Sequence, residues 1–335
     1  MSEGENVYNY EGVDPKDKKK AQKELHENPD QVRAHIASLR RWVTSAPHLT
    51  CPTDDAFLLR FLRTAKFDQS RAQQLVDNFC TVRSSPRGSP EWFEPLRPDL
   101  PALEHYFTLP LGVLLGFNDD GEAVLYFLLR ECAYEPDMFP FEDFIRCMIR
   151  SSAERLLSDQ RLQINGVRML VDYRGAGQRH YRPWEDPKLL VRVLRLWQDA
   201  LPMRNKAIIH YNESHMVDLL MKIFLPFLKE KVRRRIIRCG ANSSKLKQAV
   251  GPGADRLLPP ELGGQNRPMA ELIADKARQY NSESAMQERR RLDQIRVDEA
   301  LRPAATKNYL KSTEIDSTDS TSVGLTGTFT KLDVS

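Results

Sequence analysis

LPMRNKAIIHYNESHMVDLLMKIFLPFLKEKVRRRIIRCG, Leu201 to Gly240, joins three physical characters on one short stretch. Lys206 to Tyr211 is an apolar run of strand length around Ala207, Ile208 and Ile209, led in by Pro202. Met216, Val217, Leu219, Leu220, Met221, Ile223, Phe224 and Leu225 then cover nearly every face of a helix, interrupted only by Asp218 and Lys222. After Pro226, Phe227 and Leu228 comes a burst of cations: Lys229, Lys231, Arg233, Arg234, Arg235 and Arg238. A helix apolar all round is buried on every side, or meets something greasy on the side it does not bury. A cationic cluster beside it suits a surface oily inside and anionic outside, which describes a membrane interface. A core helix followed by a solvated charged face accounts for the same residues, and the stretch alone does not choose.

Strands and helices alternate on both sides of this stretch. Val113–Phe117, the turn Asn118-Asp119-Asp120-Gly121 and Val124–Leu129 predict a hairpin. Phe141–Leu157 has helical spacing, Val167–Val171 is a strand, Leu189–Trp197 a helix, and Ile236-Ile237 a last strand. Such alternation predicts crossover units and a mainly parallel sheet, hence an α/β domain. Upstream, Asn28-Pro29, Thr53-Asp54 and Asp68 open three helices with apolar stripes such as Val32, Ile36, Leu39 and Val43, a small N-terminal bundle. Downstream, a helix is expected over Met269–Tyr280, QERRRLDQIRVDEALR suggests a lone charged helix, and the Ser/Thr-rich end lacks the apolar content to pack. The expected organisation is a mobile arm over 1–27, the helical region over 28–90 and the α/β domain over 95–265. C-terminal helices over 266–300 and a disordered tail over 301–335 complete it.

A chain of 335 residues, 41% hydrophobic and 29% charged, builds a sizeable soluble core. A net charge of +4 is too small to imply nucleic acid; what matters is its concentration after Pro226. No run approaches the ~20 apolar residues of a spanning helix. The first twenty residues lack a signal peptide's apolar segment, and Cys51, Cys80, Cys132, Cys147 and Cys239 are scattered without a CxxC pair. A cytosolic chain with reduced thiols follows, one that visits membranes without spanning them.

No catalytic or metal site is expected. Arg174-Gly175-Ala176-Gly177 after a strand has His180 where a dinucleotide loop wants its third glycine. There is no GxxxxGK[ST] loop, GxSxG elbow or HExxH pair. His210, near Ser214, has no base-and-orienter arrangement beside it and reads as structural. Asp54-Asp55 and Asp119-Asp120 suit a helix start and a turn.

Five ordered blocks carry a resemblance. DDAFLLRFLRTAKFDQSRA (Asp54–Ala72), NGVRMLVDYRG (Asn165–Gly175), LPMRNKAIIHYNE (Leu201–Glu213), PFLKEKVRRRI (Pro226–Ile236) and LPPELGG (Leu258–Gly264) resemble the CRAL-TRIO, or Sec14-like, lipid-transfer family. The likeness is nearest to its animal branch of tocopherol- and retinaldehyde-binding proteins and clavesins. The resemblance implies an α/β fold whose sheet floors an apolar pocket behind a helical bundle, with Met216–Leu225 as a gate opening at membranes. It implies no catalytic residue and no cofactor beyond a hydrophobic lipid such as tocopherol, a retinoid or a phospholipid. By alignment it implies a phosphoinositide cleft of Arg204, Lys231 and Arg235, with Lys206, Arg234 and Lys66 beside it. Pocket positions carried over the same way are Ile149, Val167, Val171, Leu196, Met203, Ile208, Leu220 and Ile223, each equally open to plain core packing. Departures are Ala65, where the family often has Arg; Ser214, where proline is usual; Leu225, in place of a common Lys; and Ile149 and Ala153, where the tocopherol binder has serines.

The expectation is therefore a non-enzymatic cytosolic carrier of one hydrophobic ligand. It docks peripherally on phosphoinositide-bearing endosomal or plasma membranes. A trafficking adaptor whose tail after Ser312 meets partner proteins is the other reading, and nucleic acid is not a partner.

Overall fold

The computed structural model describes residues 13–96, 101–132, 141–181 and 186–306. In chain order it contains α1 (Pro15–Lys20), α2 (Val32–Ser45), β1 (Leu49–Thr50), α3 (Asp55–Ala65) and α4 (Gln69–Ser84). Then come α5 (Pro101–Thr108), β2 (Leu111–Phe117), β3 (Ala123–Leu128), α6 (Phe141–Met148), α7 (Glu154–Ser158), α8 (Gln160–Asn165), β4 (Val167–Asp172) and α9 (Pro187–Arg195). The remainder is β5 (Asn205–Tyr211), α10 (His215–Phe224), α11 (Glu230–Arg233), β6 (Ile236–Arg238), α12 (Ser243–Val250), α13 (Ala254–Leu257), α14 (Met269–Tyr280), α15 (Glu283–Leu292) and β7 (Arg296–Val297).

Five strands form one sheet in the order β2-β3-β4-β5-β6. The β2–β3 pair is antiparallel and every later pair is parallel. The hairpin turns at Gly121, whose φ of +81° no side chain adopts easily. Alternate residues face opposite layers. Val124, Tyr126, Leu128, Leu170, Ala207 and Ile209 pack under α12, α13 and Leu262. Leu125, Phe127, Met169 and Val171 face the larger layer shared with the helical bundle. That second face is where the sheet floors a cavity.

The bundle forms as the apolar spacing predicts, with Val32, Ile36, Leu39, Val43, Phe57, Phe61 and Phe79 all buried. Asp54 caps α3 by accepting from Phe57 N at 3.0 Å, and Asp68 caps α4 by accepting from Arg71 N at 2.9 Å. Between them, Lys66 and Phe67 both take left-handed backbone, ending α3 in a tight turn.

Two expectations about the ends are corrected. From Val13 to Glu27 the chain is not a mobile arm. Ala21 and Leu25 bury against Ile164, and the wholly buried Glu27 takes Arg63 Nε and Nη2 at 2.9 Å each. Charged composition concealed this because the anchor is an ion pair. At the other end, the charged segment stops its helix at Leu292, and β7 then pairs antiparallel with β1. Arg60 bonds Glu288 at 2.9 Å, and the buried Arg302 takes Asp77 at 2.6 and 2.7 Å, so order persists into the segment expected as tail. Residues 307–335 lie outside the described residues.

Candidate functional site

Two cavities adjoin along the sheet edge, sharing Trp197, Gln198, Asn205 and Val232 as a common wall. The first has a volume of about 220 Å³. Its floor is Phe127, Met169, Val171, Ile208 and His210 from β3, β4 and β5, since the period of two aims them at one face. Phe144, Ile145 and Met148 of α6 and Val193 of α9 form another side. The last wall is α10, through Val217, Leu220, Met221 and Phe224. None of the lining residues carries a full charge. Gln198 is engaged elsewhere, accepting from Lys229 N at 2.9 Å and donating to Phe227 O at 3.2 Å.

The helix α10 is one-sided. Val217 is buried, Met216, Leu219, Leu220, Met221 and Phe224 are half-buried, and Asp218, Lys222 and Leu225 are exposed. Its outer face is tied by Asp218 to Arg238, whose Nε also lies 3.4 Å from Glu213.

Of the expected pocket positions, Val171, Ile208 and Leu220 line the cavity. Ile149, Val167 and Leu196 do not; each is fully buried in core packing. Ile149 sits in a π-helical turn after α6, Leu196 opens another after α9, and Val167 stands at the far end of β4. Met203 lines the neighbouring cleft instead. The side chain of Ile223 lies outside the described residues. What the sequence missed is His210, on the same face of β5 as Ile208; reading Ile208 as inward and adding two finds it.

The second cavity, about 400 Å³, is basic. Lys66 enters from the left-handed turn after α3, Arg204 from the approach to β5, Lys206 from β5 itself, and Lys231 and Arg235 from around α11. Gly166 makes this possible. Its φ is +86° and the Arg204 carbonyl stands where a side chain would begin. That close approach lets Val167 N donate to Arg204 O at 2.8 Å. Arg71 and Lys229 add two cations the sequence reading did not include, and the acids present are Glu24 and Asp199. Ala65 is buried in the bundle, and Arg71 reaches the cleft from the first turn of α4. Arg234 does not line this cleft; its exposed guanidinium pairs with Glu230, in a neighbouring hollow that it shares with Lys231 and Arg235.

The cations hold one another under strain of charge. Burial lowers the Lys231 ammonium, and Arg235, Arg71, Lys66 and Arg204 push it lower still. Arg235 is lowered by burial and by Arg204. Arg235 donates to the Asn205 carbonyl and Arg204 to the Ile164 carbonyl, which fixes both forks.

Among the described residues no cluster of His, Cys, Asp or Glu is placed to hold a metal, and no helix is long and apolar enough to cross a membrane.

A family model for the CRAL/TRIO domain matches residues 110–264, and one for a Pinta-like UBA domain matches residues 28–103. The chain is 34% identical to "Alpha-tocopherol transfer protein-like" of Mus musculus over 250 residues, 73% of this chain and 68% of that one. It is 32% identical to "Clavesin-1" of Xenopus laevis over 260 residues, 76% of this chain and 74% of that one. It is 31% identical to "Clavesin-2" of Homo sapiens over 263 residues, 77% of this chain and 76% of that one. The solved structure titled "Crystal structure of Sfh5" aligns with TM-score 0.41 at 15% identity, over 79% of this chain and 97% of that one.

Proposed function

We propose, from the premise that this chain belongs to the CRAL/TRIO domain family, that it is a lipid-transfer protein carrying one hydrophobic ligand in the apolar cavity. It docks on phosphoinositide-bearing membranes through the adjoining basic cleft, and it works without catalysing a reaction. The observation that carries this reading is the common wall: an uncharged cavity and a cationic cleft meet at Trp197, Gln198, Asn205 and Val232. A phosphoinositide head offers several phosphate oxygens to Arg forks and Lys ammoniums, and relieves the mutual repulsion of Lys231, Arg235 and Arg204.

Exchange needs a moving wall. The cavity of about 220 Å³ falls short of the roughly 300–1,000 Å³ of a small-molecule site, so loading requires a wall to give. In this reading α10 is that wall. It lies between cavity and solvent, and an exposed ion pair to Arg238 is a weak tie. Swinging outward exposes Val217, Leu220, Met221 and Phe224, which a bilayer interface accepts at roughly 25 cal/mol per Å² of apolar surface. The basic cleft brings that interface alongside.

Purification from a eukaryotic host, organic extraction and mass spectrometry test the cargo. One stoichiometric hydrophobic molecule per chain is expected. A chain that emerges empty, and stays empty after incubation with mixed-lipid vesicles, contradicts the carrier.

A further inference from the structure

β5 brings two polar side chains to the apolar cavity, Asn205 at its start and His210 near its end. Both carry a buried polar atom with no partner among the described residues, Asn205 Oδ1 and His210 Nε2. Their surroundings differ. Asn205 stands in the wall shared with the basic cleft, so a polar space lies beside it. His210 is 4% exposed and touches only the apolar cavity. Its ring is held: Nδ1 lies 2.6 Å from the Tyr173 phenol oxygen, and the two rings stack at 5.5 Å and 17°. That hydrogen bond fixes the ring plane and leaves Nε2 as the ring's unsatisfied atom. A buried polar atom without a partner is costly, and a bound molecule that supplies one recovers the loss.

We propose that His210 is the polar anchor of the cavity, its Nε2 making the hydrogen bond to a cargo that is a long hydrocarbon with one uncharged oxygen function. The assignment rests on the carrier reading above. A hydroxyl fits first, because an O–H both donates and accepts and so meets either tautomer of a neutral ring. Burial keeps the ring neutral, holding its pKa down to about 4. No lining residue offers a countercharge, so a carboxylate or phosphate head has nothing to pair with inside. A pure hydrocarbon leaves Nε2 unsatisfied. Cargo is thereby sorted by its one oxygen, while its chain length meets only apolar walls that discriminate weakly.

The test uses the full chain and a matched pair of probes, farnesol and the same fifteen-carbon skeleton without its hydroxyl, read by native mass spectrometry and competition. The wild type is expected to prefer the alcohol by about tenfold, the effect of one hydrogen bond on an equilibrium. In His210→Leu that preference is expected to fall to about twofold or less, with hydrocarbon affinity unchanged or higher. His210→Gln, which restores a hydrogen-bonding group, is expected to retain part of it. Nitrogen-15 spectra of the wild type, needing no variant to fold, are expected to show the His210 Nε2 resonance move with the alcohol and not with the hydrocarbon. An undiminished preference in His210→Leu, or an unmoved Nε2, overturns the anchor. A wild type that binds both probes alike overturns it while leaving the carrier standing; one that binds neither overturns both.

Discussion

The Glu24 carboxylate lies 3.2 Å from both Arg204 Nη2 and Lys206 Nζ, so the N-terminal segment places an acid of the chain's own in the basic cleft. Burial alone raises that carboxyl, but Lys206 and Arg204 outweigh it and hold it below its ordinary range. The cleft's cations are thus partly neutralised from within, and any incoming anion competes with Glu24. Glu24→Gln keeps the shape and removes the charge. Binding to vesicles containing phosphatidylinositol bisphosphate is expected to tighten about three- to tenfold in sedimentation, with neutral phosphatidylcholine vesicles unaffected. Unchanged or weaker binding contradicts a competitive role for Glu24.

The tie between Asp218 and Arg238 crosses from α10 to β6 on the surface. Exposed pairs contribute little, about 0.2–1 kcal/mol. Asp218→Asn is accordingly expected to speed ligand exchange by about two- to fivefold at unchanged thermal stability, followed with a fluorescent lipid chased by unlabelled vesicles. Leu220→Asp acts the other way. It places a carboxylate on the cavity wall and is expected to impair loading and slow exchange. Identical exchange rates for both variants and wild type contradict α10 as the moving wall.

Glu27 and Arg63 are both wholly removed from solvent. Breaking one partner of such a pair leaves an uncompensated buried charge, at a cost of about 3–5 kcal/mol. Glu27→Gln is expected to lower the free energy of unfolding by that order in urea titration. It is also expected to open residues 13–31 to limited proteolysis. A loss under 1 kcal/mol shows that the segment is held otherwise.

The sign of the pH dependence follows from His210. Burial lowers its pKa to about 4; Glu213 raises it and Arg238 lowers it, neither enough to reverse the effect. An unfolded histidine takes up a proton near pH 6.5, so between pH 6.5 and 4 the unfolded state binds a proton that the native state does not. Stability is full above pH 6.5 and falls by about 1.4 kcal/mol per unit below it. Buried His48 is lowered by burial as well and contributes in the same direction. Comparing wild type with His210→Leu in urea at pH 7 and pH 5, the variant is expected to lose about 2 kcal/mol less. Parallel losses contradict the assignment.

Legibility followed the physics of each feature. The strands and the apolar stripes of α2 to α4 were visible because their periods of two and 3.6 are written in adjacent residues. Five members of the cleft, Lys66, Arg204, Lys206, Lys231 and Arg235, were named through motif likeness and do stand together. Arg71 was missed because it reaches the cleft only through the fold of α3 against α4. Arg234, placed beside the cleft by the same likeness, lines a hollow next to it with Lys231 and Arg235. Ile149, Val167 and Leu196 were misplaced because apolar residues near a cavity and apolar residues lining one are chemically alike. The packed ends were hidden most completely. Glu27, Arg60, Asp77 and Arg302 are charged residues that composition assigns to solvent, yet each is buried with a partner more than thirty positions away.

The most direct measurement of the central claim is transfer of a fluorescent hydrophobic ligand between vesicles. Acceptors with and without phosphatidylinositol bisphosphate are compared for wild type and for Lys231→Ala combined with Arg235→Ala. The wild type is expected to transfer faster to acceptors bearing the phosphoinositide, and the double variant to load normally and transfer at one rate to both. A double variant that keeps the full phosphoinositide preference would contradict the coupling of cleft to cavity.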